Sequence, residues 1–204
     1  MRQIFLASSF KDVAGFLWDF VGEELQGKTV TFIPTASLTE SVTFYVGAGR
    51  KALETLGMKV DVLELTSASS QEMCDKLEQN DYIYITGGNT FFLLQELRKS
   101  GADKVIIEQI QKGKLYIGES AGSMVLAPNI EYVTGMDDCR EAPELTSFEA
   151  LGQVDFYPIP HYTNFPFKKI VNKIIDQYND ILPLLPISNK QAIAIYNDEV
   201  RVMG

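Results

Sequence analysis

Leu115-Tyr116-Ile117-Gly118-Glu119-Ser120-Ala121-Gly122-Ser123-Met124 is an apolar run that breaks at glycine and restarts on small residues. Leu115 to Ile117 is too brief for a helix and follows the breaker Gly113, so it reads as a short buried strand. Gly118 to Gly122 then fits G-x-S-x-G, the pattern of a nucleophile elbow. In such an elbow the strand turns into a helix so tightly that the serine is held in a strained backbone conformation. The flanking positions must be nearly bare for strand and helix to approach each other. The N–H of the next residue, Ala121, points where an oxyanion would develop, and the helix N-terminus adds positive potential there. The alternative is a Gly-rich turn with Ser120 as an ordinary helix cap, because serine is a common cap. The place after a strand and before a helix favours the elbow.

Outward from this stretch, strand and helix signals alternate. Residues 2–7 read as a strand. Residues 12–26 carry apolar side chains at helical spacing (Val13, Phe16, Leu17, Phe20, Val21, Leu25) and close at Gly27. Further strands are expected at 28–33, 59–65 and 81–85, and helices at 41–56, 70–79, 91–99 and 103–111. This order implies right-handed βαβ units and a parallel sheet covered on both faces. Beyond the elbow the regularity fails. A strand signal covers 129–133, residues 134–147 are acidic and irregular, 154–159 read as a strand, and 167–178 as a helix. Residues 192–196 pair with 199–203 across Asn197-Asp198, a turn signal for a C-terminal β-hairpin. The expectation is one α/β domain over residues 1–204, with the sheet parallel in its first half and mixed in its second.

Composition narrows the function classes. Lys+Arg of 18 against Asp+Glu of 27 leaves a formal charge of −9, with no basic cluster, so neither nucleic acid nor an anionic membrane is expected as a partner. Residues 4–7 lead at once into polar sequence, so the N-terminal stretch reads as a first strand and not as a signal peptide. No apolar run approaches membrane-spanning length. A cytoplasmic protein is the expectation. Cys74 and Cys139 lack metal-ligand spacing and read as free thiols in a reducing compartment. With one histidine and no clustered Asp/Glu motif, no metal and no other cofactor is expected.

Ligands of parallel α/β sheets bind at the carboxyl ends of the strands. Two Gly-containing turns, Thr86 to Thr90 and Gly118 to Gly122, sit at such ends and open on one crevice if their strands are neighbours. Gly87-Gly88 lacks the spacing of a dinucleotide fingerprint. Asn89 or Thr90 reads as the cap of the next helix, Asn89 is also a candidate for substrate binding, and the bare backbone could supply a second N–H to the oxyanion. The single histidine, His161, follows the 154–159 strand in Tyr157-Pro158-Ile159-Pro160-His161. Two prolines stiffen its approach, and loops on a rigid scaffold are where catalytic groups are presented. A lone histidine is more often an unremarkable residue, but this one follows an elbow serine in chain order. Its near-neutral pKa suits removal of the serine proton and donation to the leaving group.

Thr86-Gly87-Gly88-Asn89-Thr90-Phe91, the elbow, and Pro160-His161-Tyr162-Thr163-Asn164 together resemble the S51 serine peptidases, the family of the aspartyl dipeptidase peptidase E and of cyanophycinase. The three motifs occur in the family's order, and the resemblance spans most of the chain. It implies a three-layer α-β-α sandwich of the flavodoxin-like, class I glutamine amidotransferase-like type, with serine at the elbow in place of cysteine. It implies Ser120 as nucleophile, His161 as base, and the N–H groups of Gly88 and Ala121 as the oxyanion hole. A small peptide is the implied substrate, and a homodimer is left open.

Two departures bear on mechanism. The family's histidine-orienting aspartate falls at Gly135 here, followed by Asp137 and Asp138; Asp138 is slightly preferred over Asp137, and Glu131, Glu141 and Asp155 stay open. The rival is a serine–histidine pair with no carboxylate, or one supported by a backbone carbonyl. The family's arginine-bearing stretch after the histidine reads Phe165-Pro166-Phe167-Lys168-Lys169, so a weak or absent preference for aspartyl substrates is expected. Glu119 either binds a substrate amino group, tunes the elbow, or is satisfied by neighbouring backbone donors. The leading expectation is a serine peptidase. An amidase or esterase using the same site, and a catalytically impaired binding or regulatory protein of the same fold, are the alternatives.

Overall fold

Side chains alternate across the central strands and sort the interior into two cores. Ile4 and Leu6, Ile83 and Ile85, and Tyr116 face one core, whereas Phe5 and Ala7, Tyr82 and Tyr84, and Leu115 and Ile117 face the other. A sheet apolar on both faces must be covered on both, which is what the helices do. The structure, a computed structural model, describes residues 2–204.

The elements run β1 (Gln3–Ala7), α1 (Phe10–Val21), β2 (Thr29–Ile33), α2 (Phe44–Thr55), β3 (Lys59–Val62), α3 (Ser70–Gln79), β4 (Tyr82–Ile85), α4 (Thr90–Ser100), α5 (Ala102–Gln111) and β5 (Leu115–Glu119). There follow the single-turn α6 (Ala121–Met124), β6 (Tyr157–Ile159), α7 (Lys168–Tyr178), β7 (Leu184–Pro186), β8 (Ala192–Tyr196) and β9 (Glu199–Met203). The main sheet has the order β3-β2-β4-β5-β1-β8-β9. Its first five strands are parallel, and β8 and β9 add an antiparallel hairpin beside β1. Helices α1 and α2 pack over the Phe5 face, and α3 to α7 over the Ile4 face. This is the expected mostly parallel three-layer sandwich with its terminal hairpin. The β4–β5 register sets Ile85 opposite Gly118, so the two glycine turns do emerge side by side.

Three expectations are corrected. The first helix ends at Val21 and not near Gln26, because Gly22 adopts a left-handed φ of 67° and donates its N–H to the Trp18 carbonyl. Leu25 keeps the helical spacing because it reaches the same core from a non-helical segment. Residues 129–133 form no strand: a 3₁₀ turn covers Glu131–Val133, and only an isolated bridge joins Asn129 to Glu149. The strand before His161 does not join the main sheet. It shrinks to β6 and pairs with β7 in a separate two-stranded sheet, where Pro158 and Pro186 remove N–H donors that a longer ladder would need.

Candidate functional site

Ser120 alone separates β5 from α6. Its φ of 49° and ψ of −105° fall where non-glycine residues are uncommon, and the surroundings hold it there. A side chain at Gly118 would overlap the Gly122 carbonyl, and one at Gly122 would overlap the Ile85 carbonyl. Hydrogen bonds then fasten the turn to its neighbours. Ser120 N–H donates to the Ala7 carbonyl (2.9 Å), Ser123 Oγ donates to the Gly118 carbonyl (2.8 Å), and Tyr116 Oη donates to the Gly122 carbonyl (2.6 Å).

His161 enters from the opposite side of the cleft, also with a left-handed φ, 64°. Its N–H donates to Ser8 Oγ (2.9 Å), which in turn donates to the Ile187 carbonyl (3.0 Å), so the end of β1 and the segment after β7 both position it. The imidazole stacks on the Phe167 ring at 4.5 Å. Its Nε2 lies 3.0 Å from Ser120 Oγ and its Nδ1 lies 2.9 Å from Asn189 Oδ1. An amide oxygen accepts, so Nδ1 carries the proton and Nε2 presents a lone pair to the serine. Burial lowers the pKa of the ring below 6.5, against the opposing effect of the Asn189 hydrogen bond, and the ring is neutral at pH 7.

The expected orienting carboxylate is therefore not found in the loop after the elbow. Asp137 Oδ2 accepts from the Thr90 N–H (2.8 Å) and from Thr90 Oγ1 (2.5 Å) at the start of α4. Asp138 pairs with exposed Arg140 at 2.6 Å. Glu131, Glu141 and Asp155 are exposed. The physical reason is direction: the ring turns its Nδ1 toward the segment between β7 and β8, where Asn189 is held by its own N–H donating to Asn164 Oδ1 (2.9 Å). Sequence reasoning missed Asn189. The only signal for it was a polar turn, Ser188-Asn189-Lys190, ahead of a hairpin strand.

Gly88 has φ of 135°, and a Cβ there would run into the Ala36 carbonyl and the Ser37 nitrogen. The N–H groups of Gly88 and Ala121 donate to no protein acceptor among the described residues. Asn89 caps α4: its Oδ1 accepts from the Phe92 N–H (2.9 Å) and its Nδ2 donates to the Asp138 carbonyl (2.9 Å), so its side chain is engaged within the protein. Glu119 is buried and satisfied. It accepts from the Phe10 N–H (2.8 Å) and Tyr84 Oη (2.7 Å), and it faces the Gly87 N–H, tying the end of β5 to β4, the turn after it and the start of α1. Burial raises its pKa, opposed by these donors.

These groups surround a cavity of about 550 Å³ that Ser120, His161, Gly88, Glu119 and Asp137 all line. Among the described residues, no group of three His, Cys, Asp or Glu side chains is arranged to hold a metal ion, and no helix is long and apolar enough to cross a membrane.

Fold and site together define a mostly parallel α/β sandwich in which a serine and a histidine meet at a strand-to-helix turn. Residues 4–203 match the model of Peptidase family S51. The chain is 55% identical over 200 residues to the uncharacterized peptidase Lmo0363 of Listeria monocytogenes, covering 98% of this chain and 97% of that one. It is 31% identical over 145 residues to a Peptidase E of Salmonella arizonae, covering 71% of this chain and 60% of that one. A crystal structure of a Listeria monocytogenes protein, provisionally named as a peptidase E, superposes with a TM-score of 0.96 at 54% identity, over 100% of this chain and 98% of that one. The chain belongs to peptidase family S51, and its class is that of a peptide hydrolase.

Proposed function

We propose that the chain is a serine peptidase that hydrolyses small peptides through an acyl-enzyme on Ser120. The observation that carries this reading is the 3.0 Å contact between Ser120 Oγ and a His161 Nε2 whose other nitrogen is engaged by Asn189. An amide oxygen orients the histidine in cysteine–histidine–asparagine sets, and Asn189 offers the same contact to a histidine that faces a serine. In the forward step, Nε2 takes the hydroxyl proton as Oγ bonds to the scissile carbonyl carbon. The carbonyl oxygen becomes an oxyanion between the N–H groups of Gly88 and Ala121, neither of which has a competing acceptor among the described residues. Collapse breaks the C–N bond, with the proton on Nε2 passing to the leaving amine. Water then repeats the sequence on the ester, its proton going to Nε2 and returning to Ser120. The helix behind the elbow is a single turn, so stabilisation rests on individual N–H groups more than on a long helix dipole. A cavity of about 550 Å³ holds a ligand of di- or tripeptide size.

Ser120→Ala and His161→Ala are each expected to lower kcat/KM on a dipeptide panel by on the order of three or more decades. The double variant should be little worse than either, because the two side chains act as one unit. Losses that multiply would reject the nucleophile–base assignment. A panel that includes amides and esters identifies which acyl transfer the site prefers.

A further inference from the structure

The carboxylate of Asp137 is only half used by the fold. One oxygen, Oδ2, is anchored by the two donors of Thr90 at the start of α4, immediately after the glycine turn. The other oxygen has no hydrogen-bond partner among the described residues, and it is not among the sealed polar atoms, so it is accessible where Asp137 lines the cavity. No lysine or arginine acts on it: burial and the neighbouring Glu40 push its pKa up to about 6, against the Thr90 donors, and it is mostly ionised at neutral pH. Asp138, the next residue, has its own counter-charge in Arg140, and Glu119 is satisfied by three donors. Lys11 is the one lysine or arginine lining the cavity among the described residues, and it lies over the Phe44 ring, paired with no carboxylate. In the same wall the Tyr45 hydroxyl, packed past Gly87 from Ser120, is sealed without a hydrogen-bond partner.

A buried-side carboxylate held in place, ionised and lacking a counter-ion, is balanced most directly by a cation that arrives with the ligand. We propose that the free oxygen of Asp137 receives a positively charged group of the substrate, so that this cavity selects peptides carrying an ammonium or guanidinium close to the scissile bond. The inference rests on the peptidase reading of the same cavity. The cation has two sources, the peptide's free N-terminus or a basic side chain, and both offer the same N–H donors to the carboxylate. An acidic side chain would meet like charge at Asp137, and the cavity carries no guanidinium to hold it in a two-pronged contact.

The test compares kcat/KM for Leu-Leu and its N-acetyl derivative, for Lys-Leu and norleucyl-leucine, and for Asp-Leu, in the natural chain and in Asp137→Asn. The asparagine keeps an oxygen for the two Thr90 donors and removes the charge, so α4 stays capped. If the N-terminus is the cation, acetylation lowers kcat/KM by about ten- to a hundredfold, and if a side chain is, Lys-Leu leads norleucyl-leucine by a similar factor. In Asp137→Asn the ratio between charged and neutral members falls toward one, with the loss carried by the KM of the charged members. A cap without a recognition role would instead lower all substrates alike. Equal rates for charged and neutral members in the natural chain, or an advantage that survives Asp137→Asn, overturns the inference and leaves the peptidase reading standing. Turnover of no substrate at all overturns both.

Discussion

On the proposed mechanism, an amide beside His161 changes what the ring is able to do once it holds a proton. Asn189 orients the ring and selects the tautomer, as an aspartate would, but offers a dipole and not a charge to the imidazolium. Burial already disfavours that imidazolium. The base is active when deprotonated, so activity falls as pH drops through its pKa, and the acid limb of kcat/KM is expected below 6.5. Asn189→Asp should move that limb to higher pH, because a carboxylate at 2.9 Å stabilises the cation. Asn189→Ala should lower kcat/KM by about two to four decades, since the tautomer is no longer set. An acid limb that does not respond to Asn189→Asp would show that the ring does not turn its Nδ1 to that side chain. The meeting of Ser120 and His161 was legible because residue type, the glycine pattern and chain order all pointed to it. Asn189 was not: asparagine in a turn has no signature of its own, and its use depends on a contact made 28 residues away.

At the scale of elements, the turn after β4 is set by its backbone and not by a side chain. Gly88 adopts its φ of 135° where any Cβ would run into the backbone of Ala36 and Ser37, in the 3₁₀ turn after β2. The Asn89 N–H donates to the Ala36 carbonyl at 2.8 Å and locks the two turns together. Gly88→Ala must shift one of them, and with it the N–H assigned to the oxyanion. A loss of about two to three decades in kcat, together with a lower melting temperature, is expected. Unimpaired kcat would remove this turn from the mechanism. The helices and parallel strands that carry these turns were readable from hydrophobic periodicity, and 70–79 and both hairpin strands agree to the residue. Of the small β6–β7 sheet only β6 was readable, as the end of a longer strand signal; β7 and the pairing were not. Its strands are three residues long and rich in proline, and only their mutual pairing makes them strands.

Across the whole molecule, the site is assembled at the carboxyl ends of strands whose packing lies elsewhere. Ile106 of α5 is fully buried in the larger core and does not line the cavity. Ile106→Ala is expected to lower stability by about 2–5 kcal/mol in urea denaturation, with turnover per folded molecule unaltered. A proportionate fall in turnover would mean that the site depends on core packing at a distance. The sequence alone determined the sandwich class, the elbow, the nucleophile–base candidates and the bare turn beside them, because each is written in local pattern: period, glycine placement and residue type. The tertiary structure decided which side chain meets the second nitrogen of His161, that Asp137 is anchored by Thr90 with one oxygen left toward the cavity, and that Glu119 is consumed in tying the end of β5 to β4 and the start of α1. Those outcomes depend on the direction of side chains brought together from distant parts of the chain, and direction is a property of packing that no local pattern encodes.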